Sequence, residues 1–164
     1  MHIRHTTIED YNEILKIYEH AREYMVSINN PNQWGNIWPP KELVKEDIIN
    51  KKSYVCVNEN EELLAVFFYD IMKDPTYNII DGAWINDEKY GVVHRIAVKV
   101  NNKGIGRYCL EWAYSQCNNL RIDTHENNIS MLKLLEKMNF KYCGIIKTHN
   151  GSPRNAYQLY GGNN

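Results

Sequence analysis

The run "VVHRIAVKVNNKGIGRYCLEWA", Val92 to Ala113, decides how this chain is read. It opens on β-branched and apolar residues, passes through Asn101-Asn102-Lys103 into Gly104-Ile105-Gly106, and continues at helical spacing. A strand–loop–helix junction of this kind presents unpaired backbone N–H groups and the positive end of a helix dipole, which suits an anion. Glycine lets a backbone approach its ligand with no Cβ in the way, and Lys103 and Arg107 add positive charge. The plainer reading is a bend that joins a strand to a helix, and the loop alone does not separate the two.

Two familiar phosphate loops are excluded. No GxxxxGK[ST] run exists, so the junction is not a P-loop. A dinucleotide fingerprint would need a third glycine where Cys109 stands, and the preceding strands lack repeated βαβ units, although Asp123 lies about where a ribose-binding acid would fall.

Working outward, 164 residues predict a single domain, 1–164, long enough to bury a full core. Nineteen Lys and Arg against twenty Asp and Glu leave a formal charge of −1, so overall charge gives no reason to expect nucleic acid or an anionic membrane as partner. No apolar run approaches a membrane span, and MHIRHTTIED does not read as a signal peptide. Cys56, Cys109, Cys117 and Cys143 show no CxxC spacing and predict free thiols, hence a cytoplasmic protein. The six histidines form no HxxxH or HExxH pair, so no metal is expected.

Alternation predicts a first strand over 2–5, and Thr6-Thr7 with Glu9 or Asp10 reads as a capping box before a long amphipathic helix through Ile28. Residues 29–40 are a Pro-, Gly- and Asn-rich loop, and a second helix covers 40–50. Strands follow over 53–57 and 63–71, and the turn-rich stretch 74–90 has room for a further hairpin. The pattern then predicts strand 92–100, helix 105–117, strand 120–124, helix 128–138, and strands 140–148 and 154–160. Strands meander first and helices alternate later, which predicts an α+β fold on a mixed sheet.

"HRIAVKVNNKGIGRYCLEWA" followed by "LRIDTHENNISMLKLLEKMNF" resembles the two core segments of the GCN5-related N-acetyltransferase (GNAT) superfamily. That family joins a strand, a Gln/Arg-x-x-Gly-x-Gly/Ala loop, a helix, a strand, and an Asn-led helix ending before a Gly-Phe pair. The earlier elements fall in the family's order, so the resemblance covers essentially the whole chain. There are departures. Asn101 stands where Gln or Arg is usual, and the stretch from Val98 to the loop is about two residues short. Asn139 replaces the glycine, as a left-handed helix C-cap allows. Leu135 takes the place of a tyrosine that often serves the family as general acid.

The resemblance implies a mixed sheet splayed between two parallel strands, with acetyl-CoA held in the opening and an acetyl group passed to an amine. It implies that the backbone of Ile96, Ala97 and Val98 pairs with the pantetheine arm and that Lys103, Gly104, Ile105, Gly106 and Arg107 hold the pyrophosphate. Asn128, Met131 and Lys137 would line the other side, although Met131 also fits a core position and Lys137 a solvated helix end.

An amine that is mostly protonated must lose a proton before it attacks, and histidine is suited to take it. His94 lies on the strand before the loop, where alternation predicts that it shares a face with Ile96 and Val98; a core histidine is the competing reading. His125 follows the next strand, with capping as its competing role. Trp34, Trp38, Tyr77 and Trp84 fall in irregular stretches, as substrate platforms or as loop anchors. The acid is open, with Tyr142 and Tyr157 on the closing strands as candidates. The expected activity is acetyl-CoA-dependent N-acetylation of a small-molecule or peptide amine. The alternative is a non-catalytic acyl-CoA-binding sensor or assembly module. A homodimer fits the resemblance, but no residue marks its surface.

Overall fold

In the computed structural model, which describes residues 1–161, apolar spacing dictates the N-terminal half. Ile14, Ile17, Tyr18, Ala21 and Met25 recur every three or four residues and form the buried face of α1 (Tyr11–Ser27). A short turn over Ile8–Asp10 leads into it, closed by a Thr7–Asp10 capping box whose carboxylate also takes the Arg4 guanidinium at 2.9 Å. Helix α2 (Lys41–Ile49) buries Val44 and Ile48 against the same sheet face.

Eight strands make one sheet: β1 (His2–His5), β2 (Ser53–Val57), β3 (Leu63–Ile71), β4 (Asp81–Gly82), β5 (Gly91–Val98), β6 (Asn119–Thr124), β7 (Lys141–Lys147) and β8 (Pro153–Tyr160). Their spatial order is β1-β2-β3-β5-β6-β8-β7-β4. All neighbours are antiparallel except β5 and β6, which α3 (Ile105–Ser115) connects as a parallel crossover. Helix α4 (Ile129–Lys137) follows β6, and α3 and α4 share a core with the sheet face opposite α1 and α2. This is the expected α+β architecture. The stretch 74–90 forms no hairpin of its own: it holds a short turn over Pro75–Tyr77, and β4 pairs with β7 at the far edge. Side chains pin it instead, with the Trp84 Nε1–H donating to the Tyr77 carbonyl at 2.9 Å.

Helix α4 ends as Asn139 predicts. The residue sits at φ 65°, its N–H bonds the Glu136 carbonyl, and the Phe140 N–H reaches Leu135. Asn29 and Lys51 close α1 and α2 in the same way, at φ 62° and 58°.

Two irregularities shape the middle of the sheet. The parallel pairing of β5 with β6 lasts only through Gly91–Leu120 and Val92–Arg121, after which the strands part. Beyond that point the β6-facing edge of β5 has no strand beside it. The second irregularity is a bulge at Arg95, where φ is 52° and the register with β3 slips between Val66 and Phe68. The Arg95 carbonyl accepts from the Tyr18 hydroxyl at 2.8 Å, and its guanidinium pairs with Asp47 of α2 through two contacts of 2.9 Å. The extra residue reverses the alternation. Val93, Ile96 and Val98 face α3, whereas Val92 and His94 face the other way, so His94 does not share a face with Ile96 and Val98.

Candidate active site

The wedge between β5 and β6 opens toward the C-terminal ends of both strands, and each strand there feeds the start of a helix. Gly104 caps α3 in the left-handed conformation at φ 76°, with open space around it. Gly104→Ala is therefore expected to cost about 1 kcal/mol from backbone strain alone, read as a shifted urea midpoint at unchanged slope.

Gly106 is different. Its φ is not positive, and an added Cβ would meet only Leu134 Cδ2 at 3.5 Å, an ordinary contact. Neither the backbone nor the packing of the protein requires glycine there, which leaves close approach of a ligand as its use. The first backbone bond into α3 is Tyr108 N–H to the Gly104 carbonyl, and no side chain caps the helix. The N–H groups of Ile105, Gly106 and Arg107 thus face outward with the positive end of the dipole. Lys103 and Arg107 are exposed beside them, although Arg107 also reaches Glu111 at 3.2 Å.

Across the wedge, the Asn128 side chain caps α4 by accepting from the Met131 N–H at 3.3 Å, and Met131 packs partly buried on the core. Asn128 also donates to Gln33 at 3.2 Å, tying the 29–40 loop to this helix start. At the end of β6 the Thr124 hydroxyl is buried with no hydrogen-bond partner among the described residues. Lys137 is exposed at the far end of α4, roughly 13.5 Å along the axis from Asn128. These features fit a phosphate-bearing, amide-containing arm: outward N–H donors, a bare strand edge at Ile96–Val98 and an unsatisfied hydroxyl.

His94 lies just past the point where the strands part. Its Nε2 meets Asp74 Oδ2 at 2.5 Å and its Nδ1 lies 4.0 Å from Asp123 Oδ2. Asp74 comes from the 74–90 stretch and Asp123 from β6, and the Tyr77 hydroxyl donates to Asp123 at 2.7 Å. Burial alone would raise the Asp74 carboxyl, but bonds from His94 and from Thr76 outweigh it and hold it at about 2. An ionised Asp74 only accepts, so Nε2 carries a proton, and in the neutral imidazole Nδ1, on the side of Asp123, is the nitrogen with the lone pair. The imidazole is a quarter exposed, which keeps that lone pair reachable.

The depressed carboxyl has a consequence for stability. Asp74 contributes fully above its ordinary value of 3.8, and the contribution is lost as pH falls through about 2. Asp74→Asn is expected to cost about 2 kcal/mol at pH 7, a deficit that closes between about pH 4 and pH 2 in urea titrations.

His125 has the capping role: its Nδ1 accepts the Asn127 N–H at 3.0 Å in the turn before α4. Burial first, then the Arg154 guanidinium, push its pKa down. Tyr77 and Trp84 are anchors, with Tyr77 fully buried and Trp84 stacked on the Arg121 guanidinium at 4.2 Å. Trp34 packs edge-on against Tyr18, and Trp38 is exposed. Leu135 is fully buried in the α3–α4 core, so no proton donor stands at that position. Among the described residues no group of three or more His, Cys, Asp or Glu is placed to hold a metal, and no helix is long and apolar enough to cross a membrane.

No protein-family model matches this chain, and no curated protein matches its sequence. Solved structures do match. An acetyltransferase of the GNAT family from Streptococcus agalactiae superposes with a TM-score of 0.88 over 99% of this chain and 96% of its own, at 24% identity. The chain has the GNAT fold. A GNAT-family acetyltransferase from Listeria monocytogenes matches at TM-score 0.70 and 15% identity, over 96% of this chain and 92% of that one. A GNAT phosphinothricin acetyltransferase from Sinorhizobium meliloti, solved with acetyl-CoA, matches at 0.63 and 14%, over 97% and 88%. In the GNAT fold of this chain, the glycine loop, Asn128 and His94, each singled out in the sequence, all lie around the wedge. The sequence reading missed Asp74 as the partner of His94, because twenty residues separate them and only the folded turn brings them together. Asp123 was legible by alternation along β6, but it was weighed only as a ribose-binding acid.

Proposed function

We propose that this protein is an acetyl-CoA-dependent N-acetyltransferase acting on a small-molecule or peptide amine. The observation that carries the proposal is the wedge: two parallel strands paired over two residues, flanked by two helix starts, with His94 at the apex. The backbone edge of Ile96, Ala97 and Val98 would hold the pantetheine arm. The N–H groups of Ile105, Gly106 and Arg107, with Lys103, would hold the pyrophosphate, and Asn128 and Met131 would line the opposite wall. The acetyl-CoA of the Sinorhizobium meliloti neighbour supports that assignment. Bound acetyl-CoA supplies the acetyl carbon and a thiolate leaving group.

This chain's residues handle the protons. Asp74 fixes the imidazole with Nε2–H toward itself, so Nδ1 is the nitrogen that takes a proton from the incoming ammonium. Asp123, 4.0 Å from Nδ1, attracts the ammonium and then stabilises the imidazolium. When the amine nitrogen bonds to the acetyl carbon, the carbon–sulfur bond breaks and its electron pair leaves on sulfur. The amine sheds two protons in all; one neutralises the thiolate and the other reaches solvent through His94. With Leu135 buried, the proton for sulfur comes from the imidazolium or from water. The four free thiols support a cytoplasmic setting.

The buried Leu135 favours one other reading, a non-catalytic acyl-CoA-binding sensor or assembly module. Calorimetric titration with acetyl-CoA and desulfo-CoA, followed by thiol release with an amine panel, tests both. Binding with turnover supports the enzyme, and binding without turnover supports the sensor. Absence of binding removes both.

A further inference from the structure

Arg154 is buried, 7% exposed, yet among the described residues it pairs with no carboxylate. Its Nη1 donates to the Ser152 hydroxyl at 2.5 Å and to the Pro153 carbonyl at 2.9 Å, and its Nη2 to the Gln33 carbonyl at 3.2 Å. All three partners are neutral. Desolvating a guanidinium without an anion is costly, so such a group is retained where an anion arrives later. Its five N–H donors lie in a fixed fork, and these bonds occupy only part of it.

Its place in the sheet says where the anion would sit. Arg154, Ala156 and Gln158 alternate onto one face of β8, and Ala156 packs with Val92 and Tyr77, on the face that carries His94. Asp123 pairs directly with Ala156, which makes Arg154 its diagonal neighbour, about 7–8 Å away between Cα atoms. The guanidinium and the Asp123 carboxylate influence one another electrostatically without touching. His125 senses the same positive charge. Gln33 roofs the cluster, accepting from Arg154 on its backbone and from Asn30 and Asn128 on its side chain.

The sheet face that carries His94 is therefore bipolar. One side of it, Asp74 and Asp123, suits an ammonium group; the other, Arg154, suits a carboxylate on the same molecule. We infer that the amine acceptor carries a carboxylate, as a free amino acid does, and that Arg154 binds it. This rests on the acetyltransferase reading of the wedge.

The test compares the proteinogenic amino acids and β-alanine, each against its carboxamide, by thiol release from acetyl-CoA. Acetyl-CoA titration on the same preparation reports the donor site separately. The amide's amine is the less basic and has more free base at neutral pH, so intrinsic reactivity runs against the acids. The expected result is at least one amino acid preferred over its amide by about 100-fold or more in kcat/KM, mostly through KM. In Arg154→Gln that ratio should fall below about 5-fold, and Arg154→Lys should restore part of it.

Amides accepted as well as acids, a preference that survives Arg154→Gln, or acetyl-CoA binding with no amino acid turned over would each overturn the inference alone. Failure to bind acetyl-CoA would overturn the acetyltransferase reading with it. The acid-to-amide comparison on the unaltered protein stands even if the variants do not fold.

Discussion

Replacing His94 with glutamine is expected to lower kcat/KM for amine acetylation by about 10³-fold, the usual range for removing a general base. Glutamine is the informative choice because its amide N–H still serves Asp74 at the position now held by Nε2 at 2.5 Å. The fold and the Asp74 carboxylate are then kept while the lone pair at Nδ1 is lost. Alanine removes both and confounds chemistry with packing. The loss should appear in kcat at saturating acetyl-CoA, and calorimetry should still find the donor site. A glutamine variant that turns over within ten-fold of the parent would remove His94 from the reaction and return attention to water or Asp123.

The second large effect is at Gly106. Gly106→Gln should raise the dissociation constant for acetyl-CoA by about 10³-fold, because a side chain there occupies the space over three outward N–H groups. Each charge-assisted bond lost is worth roughly 1.5–3 kcal/mol. The same substitution should leave the fold intact and raise its melting temperature, since glycine inside a helix costs about 1 kcal/mol relative to better helix formers. Beyond its own helical turn, the described atom within 4 Å of the new Cβ is Leu134 Cδ2 at 3.5 Å. Opposite signs for stability and affinity make the result hard to mimic by misfolding. Unchanged affinity in a more stable variant would reduce the loop to a turn.

Much of this architecture was legible because its signals are local. Strand-like runs over 53–57 and 63–71, separated by a turn, marked β2 and β3 to the residue, and Asn139 announced the end of α4 as a glycine would have. What stayed hidden depends on contacts between distant parts of the chain. The bulge at Arg95 carries no turn residue, and it persists because Asp47 and Tyr18, from two other elements, hold it. Alternation extended across it gave His94 the wrong face. The 74–90 stretch looked like a hairpin because its residues are turn formers, yet its pairing partner is β7. Arg154 read as an ordinary strand residue, since nothing in a sequence shows that a buried cation lacks its anion.

The short parallel pairing has a further consequence. Two residue pairs, Gly91–Leu120 and Val92–Arg121, are all that stitch four strands on one side to four on the other. The molecule is mechanically two half-sheets fastened at one corner, with α3 and α4 packed across the seam. Under the proposed function, an occupant whose amides run along the free edge of β5 would serve as the missing ninth strand, one that is not peptide and is replaced at every turnover. Saturation and rigidity would then become one event: a donor at a hundred times its dissociation constant would add about 2.7 kcal/mol to the folded state, at its weakest seam. Between turnovers of the proposed reaction the protein would be left a strand short.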